Sequence, residues 1–517
     1  MDTKSDSQHV ETMQPAVAKR RCTWQVILFS MLANIGPLMF GYNLVIIGAV
    51  TALPTFQHDY GQPNAAGKYT LPALWVGLWA GLVQLGVSGG SVIAGWFQDR
   101  FGRRPSFLLG GLLGAAGTAI SYSSAFPSDT DHRRIMFLLA KIIIGIACGI
   151  LLSTCQTYIS EIAPIGVRAI VLGFYAFNIS VGHLFATVAV FTQTQNQTSS
   201  AYQVPFATQW AFAAFAVILV FILPESPVWL LLQERYDEAH QVIKRLGEKN
   251  SEQVLQGMQA TLINERATEA HGSENPTYKE CFQGTNLRRT RIIIILNLIQ
   301  QFVGIAIVTN GAYFLTVAGM SSTNALMVNL IGIASSIVAN MASWWTVSKF
   351  GRRTMTLISI GLDFLAWVSM GIAGCFSSSA AKWYVGVALL LFGFFNSLGV
   401  ASAIPVISAE ISTVRLRSKS QGIGLTAQCI GAWAFNFFAP YLYNSDQANW
   451  GGKIGFFFAG LSTIAFAVTW WDVPETLGRS FAQLDELFGE NIPARKFKKT
   501  QLSVEPSQDT KLGAEMF

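Results

Sequence analysis

Twelve apolar runs, each about the length that crosses a bilayer as a helix, constrain this chain more than any other feature. They cover residues 26–50, 71–97, 106–126, 136–160, 169–192, 208–223, 291–318, 322–347, 354–375, 383–409, 419–443 and 453–472. Composition agrees: 51% of residues are hydrophobic and 12% charged, about half the charge load of a soluble protein. Soluble enzyme, disulfide scaffold, coiled coil and disordered chain are excluded. The six cysteines (Cys22, Cys148, Cys155, Cys281, Cys375, Cys429) lie mostly inside apolar runs, with no CxxC pair and no His cluster, so neither a metal site nor a disulfide framework is expected. The net charge of +6 carries no basic tract interleaved with aromatics. Lipid, not nucleic acid, is the expected environment.

Residues 1–21 are polar and end in Lys19-Arg20-Arg21, which reads as a cytoplasmic tail with no cleavable signal before the first span. Every second connection is basic: Arg100, Arg103 and Arg104; Arg168; the stretch 224–290; Lys349, Arg352 and Arg353; Arg415, Arg417 and Lys419. The positive-inside rule makes these loops cytoplasmic and places both termini inside, against the exception of Arg133 and Arg134. Loop 193–207 is then external, and its Asn196-Gln197-Thr198 is a glycosylation sequon.

The chain repeats itself. Gly102 of Asp99-Arg100-Phe101-Gly102-Arg103-Arg104 and Gly351 of Ser348-Lys349-Phe350-Gly351-Arg352-Arg353 stand 249 positions apart, as do Glu161 and Glu410, each seven residues before Arg168 or Arg417. Pro224-Glu225-Ser226 and Pro474-Glu475-Thr476 are offset by 250. One near-constant offset across three motifs describes a duplicated six-helix unit. The expected fold is an all-α membrane protein of twelve transmembrane helices in two halves: a tail over 1–23, halves over 24–223 and 291–472, a helical linker over 224–290 and a tail over 473–517.

Parallel six-span repeats with a site between them are the architecture of secondary transporters. No phosphate loop, HExxH, GxSxG or carbonyl-filter sequence is present, so neither ATP, hydrolytic chemistry, a cofactor nor a channel filter is expected. The tight turns at Gly102 and Gly351 bring Arg103 and Arg352 towards helix ends, where carboxylates such as Glu410 and Glu161 can accept charge-assisted hydrogen bonds, in pairs that form when the inner side is shut and part when it opens. Asp99, Arg168, Arg417, Glu225 and Glu475 complete a set of gate latches in this reading. The alternative is that these charges only fix topology.

The two Gly-Arg-Arg loops, Glu161 to Arg168, Pro224-Glu225-Ser226-Pro227, Gln300-Gln301-Phe302-Val303-Gly304 and Val473-Pro474-Glu475-Thr476-Leu477-Gly478 together resemble the sugar porter family of the major facilitator superfamily over about residues 24–500. Ala52-Leu53-Pro54-Thr55-Phe56-Gln57, Arg415-Leu416-Arg417-Ser418-Lys419 and Ala494-Arg495-Lys496-Phe497-Lys498 look like the fungal maltose and α-glucoside permeases. The resemblance implies a facilitative or proton-coupled carrier that binds sugar hydroxyls through amides and an aromatic platform. Gln300 and Gln301 match the family's sugar-binding pair; Asn310, Asn178, Asn396, Gln428 and Trp433 are further candidate contacts, each with a packing alternative.

Several positions depart from the family's pattern. Ala306 replaces a sugar-binding amide and Ala176 a polar position of the fifth span, while Val228 removes one cytoplasmic arginine whose counterpart in the second half is Arg479. Proton-coupled members carry Asp and Arg where this chain has Asn43 and Lys141, and Asn cannot take up a proton. Asn43 and Lys141 are expected at similar depth and as neighbours. His183 and Asp363 are the other ionisable residues inside spans, with structural hydrogen bonding the expected role. The expectation is a monomeric plasma-membrane carrier of a glycoside or polyol, favouring uniport. A carrier of a non-sugar metabolite and a non-transporting sensor are the alternatives.

Overall fold

A computed structural model of the chain describes residues 23–500 except 64–66, 68, 249, 271–276, 414–415, 480 and 499; the side chains of 165–173, 261–270, 418, 481 and 482 also lie outside the described part. The two tails beyond these limits, the side chain of Arg168 and residue Arg415 therefore lie outside the described residues.

Twelve helical spans follow in order. The first half holds Trp24–Val50, Ala73–Phe101, Arg103–Ser123, Thr130–Ile162, Ile165–Phe191 and Ser200–Ile222. The second holds a seventh span built from Gly284–Phe302, Ile305–Thr309 and Gly311–Val317, then Ser322–Phe350, Arg352–Ala373, Ser379–Ile411, Arg417–Tyr443 and Ile454–Asp472. Among the described residues, ten helices are long and apolar enough to cross a membrane. The seventh and eleventh spans are the other two, and they carry the amides Asn297, Gln300, Gln301, Asn310, Gln421, Gln428 and Asn436.

Helices outrun the apolar segments because hydrogen bonding, not hydropathy, ends them. The second continues to Phe101 and stops where Gly102 turns to φ +98°. The fourth begins six residues early because the Asp129 side chain accepts the His132 N–H as a cap. At about 1.5 Å per residue its 33 residues span roughly 50 Å, more than the hydrocarbon core, so its ends project from it.

Two breaks inside spans are serviced by one neighbour, the ninth span. The seventh span breaks at Gly304, φ +99°, and the Trp367 Nε1 donates to the freed Val303 carbonyl at 2.7 Å. The tenth breaks at Gly399; Ser359 Oγ donates to Phe395 O at 2.7 Å and accepts from Val400 N at 3.3 Å. Broken helices survive in a membrane only when such partners exist.

Both halves pack by the same plan. Spans 2 and 4, 1 and 5, 3 and 4, and 3 and 6 pair in the first; 8 and 10, 7 and 11, 9 and 10, and 9 and 12 pair in the second. Spans 2 and 4 approach through reciprocal glycines: a Cβ at Gly86 or Gly90 would strike the Ile142 or Ile146 carbonyl, and one at Gly145 or Gly149 the Val83 or Val87 carbonyl. This is close small-residue packing, where backbone contact replaces the hydrophobic effect that lipid cannot supply. Across the halves, span 2 packs on 11, span 5 on 8 and span 1 on the outer pieces of 7.

Outside the bundle, linker helices Pro227–Leu232 and Tyr236–Arg245 join Ser251–Ala270 around Trp229, Leu230, Leu231 and Ala239. Trp229 Nε1 ties them to the first half through Asp99 O at 3.0 Å, and Arg245 through Ile222 O at 2.7 Å. The helix Phe481–Gly489 docks under the second half, where Asp485 meets Arg289 at 2.7 Å.

Gly90→Ala is expected to cost about 1–3 kcal/mol by overpacking the seam between spans 2 and 4, whereas Gly89→Ala, which meets open space, leaves stability unchanged or higher. Thermal unfolding in detergent of both variants checks this; equal midpoints would contradict the packing argument.

Candidate functional site

Two charge clusters occupy equivalent corners of one face of the bundle. In the first half Arg103 holds Glu161 with two bonds, Nε to Oε2 at 2.9 Å and Nη2 to Oε1 at 2.6 Å, while Nη1 donates to Gln98 O at 2.8 Å. In the second, Arg352 Nη2 donates to Glu410 Oε1 at 3.1 Å. Both pairs form within a half. Asp99 adds only an exposed contact to Arg103 at 3.7 Å.

Glu225 and Glu475 do different work. Glu225 accepts the backbone N–H groups of Arg103 at 2.9 Å and Arg104 at 3.1 Å; Glu475 accepts those of Arg352 at 2.9 Å and Thr354 at 3.3 Å. Each carboxylate caps the N-terminus of span 3 or 9, satisfying orphan donors and facing the positive end of the helix dipole. Gly102 and Gly351 are required twice over, by positive φ and because a Cβ would stand 2.7 Å or 2.5 Å from the capping carboxylate. Arg479 takes no equivalent latch position: its guanidinium binds the carbonyls of Phe497 at 2.7 Å and Thr500 at 2.8 Å. Arg417 opens the eleventh span.

Between the halves the lining is neutral. A small cavity is enclosed by Asn43, Leu44 and Ile47 of span 1, Ala80, Val83 and Gln84 of span 2, Thr309 of span 7 and Asn436 of span 11. Asn43 is buried; its Nδ2 donates to Met39 O at 3.0 Å and lies 3.7 Å from Cys148 Sγ, while its Oδ1 has no partner. Asn310 Nδ2 donates to Asn436 Oδ1 at 3.2 Å. Along the same two helices, Gln428 Nε2 donates to Gln300 Oε1 at 2.7 Å. Gln301 is buried with an unpartnered Oε1, its aliphatic stem against Gly431 of span 11. The adjacent glutamines thus reach span 11 by different routes, one hydrogen-bonded and one packed.

The other candidates separate. Trp433 is half-buried against Gly81 of span 2, on the seam between halves. Asn396 is buried beside Asp363 of the ninth span, remote from the cavity lining, and Asn178 donates to Phe174 O within its own helix. Asn43 and Lys141 are not hydrogen-bonded to one another; Asn43 Nδ2 lies against Cys148 Sγ, two turns along span 4 from Lys141. The Lys141 ammonium is fully buried, without an acceptor, 5.0 Å from the Phe137 ring centre and 5.6 Å from that of Phe206. Cys148, which the Asn43 amide also approaches, is a polar neighbour of Lys141, and the two rings add cation–π attraction. His183 Nε2 is buried without a partner. Asn196 accepts from Thr198 Oγ1 at 2.8 Å and donates to Ser200 Oγ at 2.9 Å.

Sequence reasoning missed Gln84, Thr309 and Asn436. For Asn436 the available signal was spacing, since it follows Gln428 by eight residues on the same helix.

Comparison with known proteins gives a consistent picture. The family model described as "Sugar (and other) transporter" matches residues 29–488. The chain is 30% identical to "MFS transporter fmqE" of Aspergillus fumigatus, over 97% of this chain and 94% of that protein. It is 30% identical to "Maltose permease MAL61" of Saccharomyces cerevisiae, over 97% and 82%. Its fold is shared with the inward open conformation of the xylose transporter XylE from E. coli, at a TM-score of 0.72 and 22% identity over 89% of this chain and 99% of that one.

Glu225→Ala and Glu475→Ala each remove a helix cap, at an expected cost of about 1–2 kcal/mol. Because the caps share no partner, the double variant should show the sum of the two losses. Detergent unfolding midpoints of the three variants measure this, and strong coupling would argue against independent caps.

Proposed function

Because the chain belongs to the sugar porter family of the major facilitator superfamily, we propose that it carries an α-glucoside or related neutral glycoside by alternating access, as a uniporter. The observation that carries this reading is the neutral amide lining between the halves. Asn43, Gln84 and Asn436 meet there, with the Gln300–Gln428 and Asn310–Asn436 pairs continuing along spans 7 and 11. Amides offer donor and acceptor to hydroxyls without fixing a charge, which suits a neutral polyol. A site shared by two halves can change its geometry when they rock, and that difference is what drives exchange between inward and outward states.

Uniport is supported at the position where proton-coupled relatives carry a carboxylate. Asn43 cannot bind a proton at physiological pH, and Lys141 faces aromatic rings instead of an acid. Arg103, Arg352, Glu161 and Glu410 serve in this reading as intra-half clamps that keep each six-helix unit rigid while it moves. The carrier works as a monomer in the plasma membrane, with the face bearing these arginines in the cytoplasm.

A second reading has its own support. Leu44, Ile47, Ala80 and Val83 make one wall of the cavity apolar, and Ala306 and Ala176 withdraw two polar groups. A non-sugar metabolite with an apolar body would fit that wall, in line with the 30% identity to a transporter whose name specifies no sugar.

Reconstituted into vesicles, the protein should move maltose or an aryl α-glucoside without acidifying the lumen; strict proton–substrate stoichiometry would overturn uniport. Uptake by yeast lacking its own carriers separates the readings, since a metabolite carrier ignores sugars and a sensor moves none. Asn196→Gln should abolish a glycosidase-sensitive mass shift if loop 193–207 is external, and an unshifted parent protein would remove support for glycosylation there.

A further inference from the structure

The arginine–carboxylate clusters do not join the two halves, so the closed state on the opposite face must be held by other groups. There, two residues that follow span 11 and one from span 7 grip the backbone that enters span 2. Asp446 Oδ2 accepts the Ala73 N–H at 2.9 Å. Asn444 Nδ2 donates to Leu71 O at 2.7 Å, and Tyr313 Oη lies 3.5 Å from the same carbonyl. The three are locked together: Asn444 Nδ2 also donates to Asp446 Oδ1 at 2.9 Å, and Tyr313 Oη donates to Asn444 Oδ1 at 2.8 Å.

The local sequence explains why span 2 needs this help. Its N-cap position is Pro72, which has no side chain able to accept a hydrogen bond, and no cap of its own is formed. Trp75 and Val76 N–H reach back to Pro72 O, which leaves the Ala73 donor to be satisfied from elsewhere. A carboxylate at a helix N-terminus is the preferred partner for that donor and for the dipole behind it. Leu71, Tyr313 and Asn444 are buried, so water does not readily replace the Asn444–Leu71 and Tyr313–Asn444 bonds while the halves are together, whereas Asp446 holds the Ala73 N–H from the exposed rim.

We propose that Asp446 and Asn444, with Tyr313, form the outer gate of the carrier: the second half caps the second span of the first half, and opening to the outside requires that cap to be released. These are positioning residues. They set the balance between closed and open outer states and need not touch substrate. The gate extends the proposed cycle and rests on its orientation, but its test requires no sugar.

The test reads access to the cavity beneath the gate. Leu44 lines that cavity, and Cys375 is exposed at the end of the ninth span on the gate's face. Labelling of Cys375 in intact cells by a membrane-impermeant thiol reagent reports that this face is external. In a Cys375→Ser background, Leu44→Cys should react slowly. Adding Asp446→Asn or Asn444→Ala should raise that rate about fivefold or more, the factor that one net hydrogen bond represents. Tyr313→Phe, which removes one hydroxyl, supplies a third and least disruptive variant if either of the others fails to reach the surface. An unchanged Leu44→Cys rate in the surface-expressed variants would overturn the gate, as would absence of Cys375 labelling. Failure to transport any glycoside would bear on the substrate reading alone.

Discussion

In hydrocarbon no backbone donor can be left to water, and this chain meets that demand at its most exposed points with side chains borrowed from elsewhere in the sequence. Glu225 and Glu475 cap spans that begin more than 120 residues earlier, at Arg103 and Arg352. Asp446 caps span 2 from the other half, and Trp367 and Ser359 repair the breaks of spans 7 and 10. Each long-range cap fixes where two helices meet. The glycine seams, the twin halves and the cavity between them all depend on those meetings.

In the proposed cycle the caps also divide the molecule into what stays rigid and what moves. The bond of Arg103 to Glu161 within the first half is doubled and largely buried, and in the proposed cycle rocking the halves leaves it intact. Bonds between halves are fewer in kind and made by neutral or partly exposed groups, among them Asn444 to Leu71 and Thr187 to Asn329. A carrier needs this contrast, because a bond that must break in every cycle cannot be too strong. Several of the amides that lower the apolarity of spans 7 and 11 pair with each other or line the cavity: Gln300 with Gln428, and Asn310 with Asn436.

Much of this was legible from residues alone. The Gly102 and Gly351 turns, with their 249-residue offset, identified the duplication, and Arg103, Arg352, Glu161 and Glu410 were expected as latch partners that form and part; each arginine instead pairs with the carboxylate of its own half. The glutamine pair pointed to the helices that line the site. Other features resisted. Asn43 and Lys141 fell at similar counted depth and both approach Cys148, but helix rotation decides what else each meets, and it sets Lys141 beside Phe137 and Phe206 without a hydrogen bond to Asn43. Depth along a helix is a matter of counting, whereas azimuth depends on packing. Asp446 lay in a polar connection with no motif around it, and its partner is a backbone N–H that carries no side-chain signature.

By itself the sequence determined that the chain spans a membrane twelve times, that it is two copies of one unit and that its charges gather at helix ends, because hydropathy, repeat offset and charge placement are one-dimensional properties. Only the tertiary structure decided which carboxylate clamps an arginine side chain and which caps a helix, which amides pair and which face the cavity, and which residues hold the halves together. Those outcomes depend on hydrogen-bond geometry, effective over about 3 Å between groups that can be hundreds of residues apart.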